Sequence, residues 1–170
     1  MRRRAALLFQ AVIVLIGIGT LALILWEPQL EGRNAHATFF EIYFNDPFLA
    51  YAYFASINFF VALYQAFKLM GYLGRNELLS QRSVKALRTI KYCSLALVAF
   101  IMGAEAYLFI VQRGKDDIAG GVAVSLFLLL IAVGMATAAA VFERRLRLAV
   151  DKKPHPSAVE TNGSKRRKIR

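Results

Sequence analysis

Four apolar runs, each long enough to cross a bilayer, limit this chain more than any other feature. Ala5 to Trp26 and Ile118 to Phe142 carry no charge, Tyr92 to Val111 carries only Glu105, and Phe48 to Leu69 carries only Lys68. At ~1.5 Å per residue each run spans roughly the 30 Å of a hydrocarbon core, and buried helices of water-soluble proteins are seldom so long and unbroken. With 58% hydrophobic residues in 170, the composition agrees that lipid is the solvent. β-Barrel spans would show alternation over about ten residues, whereas these runs are continuous and rich in Ala and Leu. The expected fold is all-α: an antiparallel bundle of four transmembrane helices with spans at about 5–26, 48–69, 92–111 and 118–142.

The helix breakers fall outside these spans. Pro28, Pro47, Pro154 and Pro156 all lie in connections or the tail, so no lipid-exposed helix loses a backbone hydrogen bond to a proline ring. Asp46 followed by Pro47 reads as the cap and first turn of the second span. The amino-terminal apolar stretch of 22 residues exceeds a secretory signal core and is followed by no small-x-small cleavage site, so it is expected to be retained. From Asp151 the chain turns polar and rich in breakers, and residues 151–170 read as a disordered basic cytoplasmic tail.

Charge then orients the spans. Of 22 Lys and Arg, three fall in residues 1–4, five in 71–91 and ten in 143–170, while the opposite loops hold only Arg33, Arg113 and Lys115. The positive-inside rule accordingly puts both termini in the cytoplasm of a multi-pass cell-membrane protein. A net charge of +11 is thus explained by topology and anionic lipid headgroups, without direct nucleic-acid binding. Trp26, Tyr43, Phe44 and Tyr51 would form an aromatic belt at the outer surface.

The segment Ser80 to Tyr92 concentrates the inner charge. Arg82, Lys85, Arg88 and Lys91 recur every three residues beside a parallel apolar row of Val84, Leu87 and Ile90, the pattern of an amphipathic helix. Ser80 or Ser83 could cap it, and it could either run into the third span or bend at the surface. Together with Arg144, Arg145 and Arg147 it forms a candidate face for a cytoplasmic protein or for lipid headgroups.

Chemistry is sparse. His36 and His155 belong to opposite membrane faces, and no phosphate-binding glycine loop or nucleophile elbow occurs. No catalytic residue, metal ligand or cofactor is expected, and the chain does not read as an enzyme. The lone Cys93 excludes an intramolecular disulfide. Within the spans the polar residues are few. Tyr51, Asn58, Gln65 and Tyr72 recur every seven residues, which keeps them on one helix face to within about 20° per step, and that face is expected to point into the bundle. A lipid-exposed carboxylate costs several kcal/mol, so Glu105 should be protonated or hydrogen-bonded internally, with Asn58 as the expected partner. Small residues Ala96, Ala99, Gly103 and Ala106, and Gly134 with Ala138, are expected to let helices approach closely.

The marks Asp46-Pro47-Phe48, the serine-led "SQRSVKALRTI" and the closing Phe142-Glu143-Arg144 resemble a family of small four-helix bacterial membrane proteins classed as a domain of unknown function. The resemblance implies the same topology. Some members are encoded beside a small helix-turn-helix regulator, which implies a cytoplasmic partner of that kind. Two functions follow as expectations: a non-enzymatic membrane component that tethers or regulates a cytoplasmic protein, or a small transporter or proton/cation-linked channel using Glu105. A four-helix chain could also dimerise into a larger pore.

Overall fold

The computed structural model describes residues 2–30, 47–111 and 119–152. Four α-helices account for nearly all of them: α1 (Arg2–Leu30), α2 (Pro47–Gly74), α3 (Gln81–Val111) and α4 (Ala119–Asp151). All four are long and apolar enough to cross a membrane. The Asp46 cap, the belt residues Tyr43 and Phe44, both histidines and residues 153–170 of the tail lie outside the described residues.

Two helices outrun their apolar cores. The segment 80–91 is continuous with the third span, because nothing between Ser83 and Val111 breaks a helix. The fourth helix continues past Phe142 to Asp151, since Glu, Arg and Leu are good helix formers and the next proline is Pro154. At ~1.5 Å per residue α3 and α4 are each more than 45 Å long, so both project beyond a 30 Å hydrocarbon layer at the cation-rich end. Ser80 is the residue that caps α3, its Oγ accepting from the Ser83 backbone N–H at 3.3 Å. Ser83 is fully buried and its hydroxyl donates to the Glu77 carbonyl at 3.3 Å.

The α2–α3 connection is tight because α2 ends in a left-handed residue. Asn76 has φ of 59°, while the Asn76 N–H donates to the Leu73 carbonyl and the Glu77 N–H donates to the Tyr72 carbonyl at 2.9 Å. This is a Schellman ending, which Asn tolerates better than other residues with a side chain.

The helices are antiparallel and pack in sequence order. Substantial contacts among the described residues join α1 to α2, α2 to α3 and α3 to α4, so α3 is the central element and α2 and α4 lie to either side of it. At the α1–α2 contact the Gln10 amide donates to the Phe67 carbonyl at 3.2 Å. A methyl group built on Gly74 would lie 3.1 Å from Ala6 Cβ and one on Gly71 3.2 Å from Gln10 Nε2, so these glycines set how closely the two helices pack. Most of α1 beyond that contact is bare apolar surface, including Leu8, Leu15, Leu23 and Trp26. Lipid covers such a surface in a membrane protein.

Candidate functional site

Opposite faces of α3 meet different neighbours. Toward α2, the Tyr51 hydroxyl donates to the Phe100 carbonyl at 2.8 Å, and the two rings stand edge-to-face with centroids 5.2 Å apart. Tyr51 thus lies across Gly103 and faces another helix instead of joining the outer aromatic belt. Asn58, Gln65 and Tyr72, on the same face of α2, are half-buried.

Glu105 faces the other way. It is only 7% exposed, and its Oε1 accepts a hydrogen bond from the Ser125 hydroxyl of α4. The expected Glu105–Asn58 bond does not form. Two positions along a helix correspond to about 200°, so Glu105 cannot share the Gly103 face that looks at α2. Depth alone suggested that Glu105 and Asn58 converge, but azimuth decides the partner. The other carboxyl oxygen, Oε2, is buried with no hydrogen-bond partner among the described residues, and so is the Ser94 hydroxyl on the same side of α3.

Small residues also sit differently from expectation. Along α4 the buried ones are Ala132, Ala136 and Ala139, which share a face with Ser125 and Glu143. Gly134 and Ala138 are exposed, and a methyl group on Gly134 would meet nothing within 4 Å. On α3, Ala99, Gly103 and Ala106 are all exposed, and it is Gly103 that the Tyr51 hydroxyl approaches closely.

The cation-rich end carries most of the charge chemistry. Glu143, 7% exposed, accepts from Arg88 Nε at 2.9 Å and from Lys91 Nζ at 2.6 Å. A spacing of three advances each side chain by about 300°, a backward drift of ~60° per step, so the row Arg82–Lys85–Arg88–Lys91 winds around α3. Its second half turns to α4 and is neutralised there. Its first half, Arg82 and Lys85, stays exposed, as do Arg144, Arg145 and Arg147 on α4. Glu143 had stood out in the sequence only as part of a family mark. Its signal was an acid just past the end of an apolar run, where every neighbouring charge is positive. No group of three or more His, Cys, Asp or Glu able to hold a metal ion occurs among the described residues.

Four apolar helices and two polar seams buried between them define a small multi-pass membrane protein. The chain belongs to the family described as "Protein of unknown function (DUF2975)", which matches residues 34–154 and so takes in α2, α3 and α4. It is 33% identical over 152 residues to the uncharacterized membrane protein YoaS of Bacillus subtilis (strain 168), across 89% of this chain and 94% of that relative. No solved structure matches the chain significantly.

Proposed function

We propose that the protein is a non-enzymatic membrane component whose cation-rich end docks an acidic cytoplasmic protein. The observation behind this reading is the division of labour at that end. Glu143 takes up Arg88 and Lys91 and braces α3 against α4, while Arg82, Lys85, Arg144, Arg145 and Arg147 remain exposed on the two braced helices. Fixed cations on a rigid pair of helices favour a complementary acidic surface over non-specific attraction. The reading places both termini and this platform in the cytoplasm, in keeping with the cation distribution. A regulator of the helix-turn-helix kind, as the family resemblance implies, would dock through an acidic surface away from its DNA-reading helix.

A photo-crosslinker at position 85, activated in native membranes, is expected to capture an acidic cytoplasmic protein. Capture should fall at least tenfold when Arg144 and Arg147 are both changed to Glu. Recovery of lipid alone would refute docking, and a partner from the opposite compartment would refute the orientation.

A second reading, transport of a proton or small cation, is favoured by the buried, unpartnered Oε2 of Glu105. The hydrogen bond to Ser125 is a weak structural reason for a carboxyl at this depth. Ser125 also has the Gly121 and Val122 carbonyls at 2.9 and 3.0 Å as acceptors and stays satisfied without Glu105. Glu105→Gln keeps an acceptor for Ser125, and Glu105→Leu trades that one bond for removal of an unpaired buried oxygen, so both variants are expected to unfold within about 1 kcal/mol of the native protein in detergent. If both variants are stable and a cation flux in proteoliposomes disappears with Gln, the transport reading displaces docking; stable variants with no native flux to lose dismiss it.

A further inference from the structure

Because the helices pack in sequence order, α2 and α4 flank α3 without substantial contact with each other, and at the cation-rich end the space between them is a groove. Leu69 and Met70 of α2 form one wall, Leu87 of α3 the floor, and Phe142, Arg145 and Ala149 of α4 the other wall, enclosing about 340 Å³. The α4 residues recur at intervals of three and four, so they form one stripe, two turns or ~10 Å long. It starts at Phe142, where the uncharged run ends, and extends past Arg144, Arg145 and Arg147. The groove therefore crosses the level at which hydrocarbon gives way to headgroups.

We propose that this groove holds one acyl chain of an anionic phospholipid, with the lipid phosphate on Arg145. The lining explains the chain: every side chain named except Arg145 is apolar, and the Phe142 end lies at a depth that a water-soluble partner does not reach. Charge explains the headgroup. Arg145 is exposed at the groove wall, its planar fork matches phosphate in bidentate fashion, and no acid lines the groove beside it. Glu143, the nearest acid along α4, is already engaged by Arg88 and Lys91. The consequence is a lipid acting as a fifth packing element that closes the side of the structure where the described residues of α2 and α4 make no substantial contact.

The test uses the full-length protein in vesicles of phosphatidylcholine and phosphatidylglycerol, with a trace of phosphatidylglycerol carrying a photoreactive acyl chain. Crosslinks are mapped by mass spectrometry, and the readout is the ratio of label on Phe142–Ala149 to label on the lipid-facing residues of α1. An excess of unlabelled phosphatidylglycerol, but not of inorganic phosphate or phosphatidylcholine, should lower this ratio. Arg145→Gln should lower it about fivefold, the weight of one cation held at a phosphate, whereas Lys152→Gln, an exposed cation that does not line the groove, should leave it within twofold. Ala149→Trp fills the groove and should abolish groove label, with Ala149→Phe as a smaller replacement if Trp impairs folding. Equal labelling by a phosphatidylcholine probe, a ratio insensitive to both Arg145→Gln and the groove-filling changes, or crosslinks from this stripe to a second copy would each overturn the proposal.

Discussion

Replacing Glu143 with Ala is expected to lower the stability of the protein in detergent by about 2 kcal/mol. Removing one partner of a fully buried ion pair typically costs ~3–5 kcal/mol, because the other charge is left without compensation. The full figure does not apply here: the Arg88 and Lys91 side chains keep 45% and 23% of their exposure, so both can swing toward water or headgroups once the carboxylate is gone. What remains is the loss of two charge-assisted hydrogen bonds and the brace between α3 and α4. Glu143→Gln, which retains an acceptor but no charge, should fall between Ala and the native residue. In an Arg88→Gln, Lys91→Gln background the same Glu143→Ala change should cost less than about 1 kcal/mol, as expected of coupled residues. Equal losses in both backgrounds would mean that the ion pairs contribute nothing and that Glu143 matters only through packing. The proposed docking platform depends on the same brace, so on that reading Glu143→Ala should also weaken capture from position 85.

The α2–α3 contact should be at least as sensitive, and to a far smaller-looking position. Gly103→Leu is expected to destabilise by about 2–3 kcal/mol, the usual cost of forcing volume into a packed contact. Any β-carbon here meets the Tyr51 hydroxyl, and that hydroxyl is held by its bond to the Phe100 carbonyl and by the Phe100 ring. Gly103→Ala should cost much less. Displacing the hydroxyl forfeits one hydrogen bond of about 1 kcal/mol, and Ala returns nearly as much by its helix preference over Gly. In a Tyr51→Phe background the clash is gone, so Gly103→Ala should become stabilising. Thermal unfolding of the four combinations decides the matter: Gly103→Leu at native stability, or no change of sign for Ala between the two backgrounds, would show that α2 and α3 do not meet at this point.

Much of the protein is determined locally by its sequence. Length and polarity set the number of spans, because a helix is the only open-ended element that satisfies its own backbone in hydrocarbon. The positions of Pro47 and Pro154 bound α2 and α4, and the absence of breakers beyond Ser83 makes the basic segment part of α3. Membership of a membrane family was likewise legible in three short marks.

Which face of each helix meets which neighbour was decided only in the tertiary structure. In water an amphipathic pattern marks the inward side, but these helices are apolar nearly all round, and in lipid the outward and inward faces share the same side chains. The azimuth of a few small or polar residues then settles the packing: Gly103 admits Tyr51, Ser125 receives Glu105, and Glu143 draws in two of four cations that the sequence presents as one row. The groove between α2 and α4 has no local signature at all. It follows from helices packed in order around a central α3, with separations set by residues far apart in the chain.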